Sequence, residues 1–186
     1  MSDSIIEKQL LNGEPPSTPE QVFAALDKLG ITYKTITHAP MRTVADSMAL
    51  RDGIPGGYSK NLFLRNRKGK MIVITLLEDR TVNLKALGEQ LGFGKLSFAS
   101  EQRLMHYLGV IPGAVTPLSV INDTGQAVTA VLDKALLEKH PLHFHPCDNS
   151  MTTTLSAADL LKYMCSYHQE PLIMDLDTDE LTAVSD

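Results

Sequence analysis

The stretch from Asn61 to Leu77 constrains this fold more than any other part of the chain. Asn61–Arg65 and Met71–Leu77 have strand composition, and the polar Asn66-Arg67-Lys68-Gly69 lies between them. Glycine takes positive φ without steric cost, so this pattern predicts a β-hairpin. A second hairpin is expected from Leu118–Ile121 and Ala127–Leu132, turning at Asn122-Asp123-Thr124-Gly125. Shorter strands are expected at Ile31–Thr37, Leu96–Phe98, Leu142–His145 and Pro171–Leu176.

Helices fall between these strands. Thr18, Pro19 and Gln21 form an N-terminal signal with a capping box, and Val22, Phe23, Leu26 and Leu29 follow on one face before Gly30. Thr43–Arg51, Asn83–Leu91 and Glu101–Leu108 read as further helices, the last two stopped by Gly92 and Gly109. Ser156 and Asp159 cap a final helix carrying Leu160, Leu161 and Met164. Helices interspersed with hairpins indicate an α+β domain around a mixed sheet rather than a βαβ repeat. Residues 1–16 read as a flexible N-terminal arm, 17–177 as one domain and 178–186 as an acidic tail.

The 186 residues carry a formal charge of -5, which at first disfavours a nucleic-acid partner. Six of the acidic residues lie between Glu170 and Asp186, where there is no Lys or Arg; the rest of the chain has 17 basic against 16 acidic side chains. Lys60, Arg65, Arg67, Lys68 and Lys70 cluster around the first hairpin. They suit either a solvated hairpin tip or contact with a few phosphates. Two cysteines make no disulfide framework, and no apolar run is long enough for a membrane span, so a reducing cytoplasm is expected. Walker A and G-x-G-x-x-G patterns are absent, which removes those modes of nucleotide binding.

Three segments hold candidate chemistry. Gly56-Gly57-Tyr58-Ser59-Lys60-Asn61 delivers a cation and an amide to the start of a strand. Lys60 there either caps a strand end or stabilises a carbonyl or phosphate oxygen. Gly109 to Pro117 is a Gly- and Pro-rich loop, either a stiff connection or a source of backbone N–H groups for an oxyanion. His143, His145 and Cys147 would share a strand face, but Pro146 interrupts the strand and no fourth ligand stands out. A single histidine in a substrate pocket, or a hydrogen-bonded structural one, competes with that metal reading. No nucleophile-elbow motif surrounds Ser59 or Ser119.

Taken in order, these segments resemble the YbaK/prolyl-tRNA synthetase-associated editing domains. Lys60-Asn61-Leu62-Phe63-Leu64-Arg65-Asn66-Arg67-Lys68-Gly69, Leu96-Ser97-Phe98-Ala99-Ser100, and Leu108-Gly109-Val110 with Pro112-Gly113 and Val115-Thr116-Pro117 carry the resemblance. Phe144-His145-Pro146, Asn149 and the segment from Thr152 to Leu161 continue it. Within that superfamily the chain is most similar to the free-standing ProXp-ala (PrdX/ProX) group. The resemblance implies a mixed, barrel-like sheet surrounded by helices. It implies hydrolysis of the ester of mischarged Ala-tRNA(Pro) without metal or cofactor. Lys60 would then be the catalytic residue, with Asn61, Gly113, Pro117, His145, Thr43 and Arg42 lining the substrate site. Arg65, Arg67 and Lys68 would meet the tRNA acceptor end, prolyl-tRNA synthetase would be a further partner, and neither membrane nor DNA is implied.

One segment departs from the family. Where relatives tend to carry Val-Phe-Thr-Val after a His-Ala-Pro-like start, this chain has Met41-Arg42-Thr43-Val44. Arg42 either enters the amino-acid pocket, which would change its preference, or points toward tRNA phosphate. Cys-tRNA(Pro) or a Ser-tRNA is therefore the alternative substrate. A non-catalytic tRNA- or synthetase-binding module is the alternative of another class, disfavoured by Lys60 and Asn61 occurring together.

Overall fold

In the computed structural model the described residues are 8–41 and 54–176. The expected helix Thr43–Arg51, the site candidates Arg42 and Thr43, and the acidic tail 178–186 lie outside them. In chain order the elements are α1 (Pro19–Lys28), β1 (Lys34–Thr37), β2 (Gly57–Asn66), β3 (Met71–Leu77), α2 (Leu84–Gln90), β4 (Leu96–Phe98) and α3 (Glu101–Leu108). A 3-10 helix (Pro117–Asn122), β5 (Val128–Asp133), α4 (Lys134–Leu137), β6 (Leu142–Phe144), β7 (Met151–Leu155), α5 (Ala157–Tyr167) and β8 (Leu172–Met174) complete it.

Among the described residues eight strands form one mixed sheet in the order β1-β7-β6-β2-β3-β5-β8, with β4 added to β2. The β2–β3 hairpin sits at its centre, antiparallel from Ser59↔Leu77 to Arg65↔Met71. Its burial explains the nearly unbroken apolar composition of β3. Met71 and Val73 join a large core with α1, α3, the 3-10 helix and α5, while Ile72, Ile74 and Leu76 face a second core beneath α2. A strand covered on both faces has no solvent side on which to alternate. Thus the mixed α+β class expected from the sequence is what the chain adopts, with β1 and β8 as the two ends of the sheet.

Local chemistry sets the helix boundaries. Thr18 and Gln21 exchange capping-box hydrogen bonds, Asn83 and Ser100 cap α2 and α3, and Ser156 accepts from Asp159 N–H at the start of α5. Gly109 ends α3 at φ 66°; a Cβ there would also lie 2.8 Å from Pro16 and 2.7 Å from the Asn122 amide.

Besides the short, unexpected α4, two elements differ from the sequence expectation. Leu118–Ile121 is not a hairpin strand but part of the 3-10 helix. Thr116 Oγ1 accepts from Leu118 N–H, Pro117 fixes the first position, and Ser119 Oγ donates to Thr116 O, so local bonds win over a short apolar run. Strand β7 was not anticipated because Met-Thr-Thr-Thr-Leu hides its inward positions among hydroxyls. Thr153 is buried and its Oγ1 lies 2.9 Å from Thr35 Oγ1 across the β1–β7 ladder.

Candidate active site

Strand β2 changes partners along one edge. β3 runs along the other edge, but on this side Gly57–Tyr58 pair with β6 and Leu64–Asn66 pair with β4. Ala99 N–H adds one bond to Phe63 O. Between those contacts, on this edge, no strand among the described residues pairs with Ser59 to Leu62. Lys60 and Asn61 lie in that gap. Successive residues of a strand point to opposite faces, so a ligand must cross an unpaired edge to meet both.

Asn61 pairs with Thr75 across the hairpin, and its Oδ1 accepts from Thr75 Oγ1 at 2.8 Å. Its Nδ2 has no protein acceptor among the described residues. Lys60, half-buried and paired with Leu76, stands on the opposite face. No hydrogen bond or ion pair among the described residues joins Lys60 to His145 or to the loop 109–116.

The other two candidate segments do meet. Gly109, Val110, Ile111 and Ala114 share the wall of a cleft of about 290 Å³ with Cys147, Asp148 and Asn149, and Lys8 and Pro16 border it. Residues 8–17 are tied to this region: Leu11 N–H donates to His106 O at 2.7 Å, and Ser17 N–H to Asn122 Oδ1 at 2.8 Å. Gly113 adopts φ 86° in the loop, and Pro117 is buried at the first position of the 3-10 helix. Asn122 Nδ2 donates to Leu108 O, fixing the far side of the loop to α3.

His145 follows β6 and donates Nδ1–H to Met151 O at 2.7 Å. That bond fixes the neutral tautomer with the proton on Nδ1, leaving Nε2 as an acceptor. Desolvation is the main cause holding its pKa below the ordinary histidine value, with the nearby His38 acting in the same direction. His38 is 6.1 Å away between ring centroids, anchored by Nδ1 to Ala39 O and by Nε2 to Thr152 Oγ1. Asn149 Nδ2 donates to Met41 O and Met41 N–H to Asn149 O, which clamps the chain after β1 against the β6–β7 turn. The sequence reading passed over His38 as a site neighbour; its distance from His145 along the chain hid the contact made through β1 and β7.

Burial pushes the Cys147 thiol up to about 12, so it is protonated at neutral pH and a poor nucleophile. Asp148 is held below the usual carboxylate range by hydrogen bonds from Ser150 Oγ and N–H. The His143 ring stacks on Tyr58 at 4.6 Å and contacts Thr154 Oγ1 and Pro55 O. Among the described residues no three His, Cys, Asp or Glu side chains are arranged to hold a metal ion.

At the hairpin tip Asn66 is buried and Arg67 and Lys68 are exposed, while Arg65 is half-buried. Asn66 Oδ1 accepts from Lys68 and Lys70 N–H, and its Nδ2 donates to Phe93 O. Those bonds hold the cations on a defined turn. Among the described residues no helix is long and apolar enough to cross a membrane.

Comparison with known proteins fits this arrangement. The family model for the aminoacyl-tRNA editing domain matches residues 38–163. The prolyl-tRNA editing protein ProX of Acetoanaerobium sticklandii is 40% identical over 144 residues, 77% of this chain and 88% of that protein. Prolyl-tRNA synthetase associated domain-containing protein 1 of Mus musculus is 38% identical over 157 residues, 82% and 92% of the two chains. The crystal structure of a candidate trans-editing enzyme for prolyl tRNA synthetase shares the fold, with TM-score 0.67 at 18% identity over 89% of this chain and 97% of that one. The chain belongs to the aminoacyl-tRNA editing-domain family, hydrolases of the aminoacyl-tRNA ester.

Proposed function

We propose that this protein is a trans-editing deacylase that hydrolyses Ala-tRNA(Pro), the mischarged product of prolyl-tRNA synthetase. The observation that carries the reading is Lys60-Asn61 at the unpaired edge of β2, inside the matched editing domain. An aminoacyl ester is already activated, so the protein need only position it, stabilise the developing oxyanion and admit water. Water adds to the ester carbonyl carbon, the bond to the ribose oxygen of the terminal adenosine then breaks, and that oxygen takes up the proton the water gives, leaving free amino acid and tRNA. Lys60 Nζ faces the negative charge that builds on the carbonyl oxygen. Asn61 Nδ2 orients the substrate, and the loop bearing Gly113, held from beneath by Pro117, supplies backbone donors. His145 Nε2 accepts a hydrogen bond from the substrate. Arg65, Arg67 and Lys68 meet phosphates near the acceptor end, and prolyl-tRNA synthetase is the source of the substrate.

Alanine is selected over proline by size. A missing methylene is worth about 1–3 kcal/mol in favourable binding, so exclusion of the larger, correct amino acid is the more effective sieve. Arg42 and Thr43 belong to the segment proposed to face the amino acid. Single-turnover deacylation of a panel containing Ala-, Cys-, Ser- and Pro-tRNA tests this. The reading expects Ala-tRNA(Pro) to be cleared fastest and Pro-tRNA(Pro) to persist. Faster clearance of Cys- or Ser-tRNA would retain the chemistry and overturn the specificity.

A further inference from the structure

The interrupted edge of β2 ends beside an exposed aromatic ring. Phe98 is 64% exposed, whereas Leu64, its partner in the ladder, and Leu96, two residues earlier, are 0% and 5% exposed. A single exposed apolar side chain is ordinary on a protein surface, so its surroundings decide its meaning. Residues paired across an antiparallel ladder share a face, as do alternate residues along one strand. Phe98 therefore stands on the face of β2 that carries Leu64, Leu62 and Lys60.

Cations lie along the neighbouring hairpin. Arg65, paired with Ser97, stands on the opposite face, while exposed Arg67 and Lys68 form the adjoining hairpin tip and exposed Lys95 precedes β4. The spacing also fits a short strand of nucleic acid. Four residues of extended chain separate Lys60 from Leu64, about 13 Å, close to four stacked nucleotides at roughly 3.4 Å each. Cations flanking an exposed ring are the elements with which proteins hold unpaired bases: phosphates meet the charges and a base lies on the ring.

We propose that Phe98 is a stacking platform for an unpaired base in the 3′ tail of tRNA, leading the terminal aminoacyl ester toward Lys60. The proposal rests on the tRNA-ester reading above and adds where the tail runs. Because every base has a π-face, this contact contributes affinity without reading sequence.

The chain contains no tryptophan, so Phe98→Trp creates a single fluorophore at the site. The probes are an uncharged acceptor-stem RNA microhelix with its single-stranded 3′ tail and the same helix with a blunt end. Phe98→Trp is expected to bind the tailed helix as wild type does, with emission quenched by the tailed helix and not by the blunt one. Phe98→Leu keeps an apolar side chain but no ring, and is expected to bind the tailed helix roughly 5- to 150-fold more weakly, the range spanned by base–aromatic stacking. Equal affinity of the Leu variant, or unmoved Trp emission, would overturn the proposal. Phe98-dependent self-association without tail dependence would assign the face to a second copy of the chain and also overturn it. Tail-dependent quenching in a protein that leaves Ala-tRNA(Pro) intact would sink the deacylase reading and keep the platform. Hydrolysis without such quenching would do the reverse.

Discussion

Strand β2 carries two asparagines, and their surroundings differ in kind. At its end, Asn66 is buried and spends both ends of its amide on backbone: two N–H groups bond to Oδ1, and Nδ2 donates to Phe93 O. Near its start, Asn61 accepts one bond from Thr75 and keeps Nδ2 without a protein acceptor among the described residues. The lysines divide the same way. Lys70 lies over the Phe93 ring at 5.0 Å, whereas Lys60 makes no ion pair among the described residues. One end of the strand is consumed by holding a turn together; the other retains donors that the fold does not use. Unspent polar capacity at a strand edge is what the proposed site has and the turn-holding end lacks.

The largest expected effects separate these two ends. Asn61→Ala should lower the single-turnover rate about 10²-fold, comparable to losing one preorganised donor, while unfolding stability falls by about 1–3 kcal/mol because the buried Thr75 hydroxyl loses its acceptor. Asn66→Ala should cost about 1–3 kcal/mol as well, because it removes three hydrogen bonds to backbone that hold the turn, but with little change in the rate of the folded fraction. Denaturant unfolding beside single-turnover kinetics checks both, and similar profiles for the two variants would erase the distinction.

A smaller effect should follow from His145. Its folded pKa lies below the ordinary value because burial disfavours the charged form. The unfolded chain therefore binds more protons as pH falls through about 6.5, and stability declines from there downward. Activity should fall at lower pH than stability begins to, through the depressed folded pKa at which Nε2 is protonated. His145→Gln should flatten the acid limb of both profiles, and an unchanged limb would assign the titration to another group. Smallest is the hairpin tip: Lys68→Glu should weaken tRNA binding and reduce its salt dependence by about one unit of log–log slope. An unaltered salt titration would return that lysine to the solvated surface.

The sequence revealed those parts of the molecule whose signals are local. The capping residues Thr18 and Ser156, the stop at Gly109 and the central hairpin all act through neighbours a few residues away, and each was legible. Strand β7 and the 3-10 helix were not, because Thr153 is buried by a partner 118 residues distant and the 3-10 helix is set by a hydroxyl cap that competes with strand pairing. At the candidate site, the residue types were visible, but the partner change along β2 was not, since it depends on where β4 and β6 stop. His38 was hidden for the same reason: β1 and β7 bring it to His145 from more than a hundred residues away.

Lys60, in the stretch of β2 unpaired on one edge, is the residue proposed to perform the chemistry, and its replacement is the sharpest test. Single-turnover hydrolysis of Ala-tRNA(Pro) should fall about 10²- to 10³-fold in Lys60→Ala, the scale of removing one group that stabilises an oxyanion, with an unchanged melting temperature. Equal rates for the variant and the wild type would contradict the account.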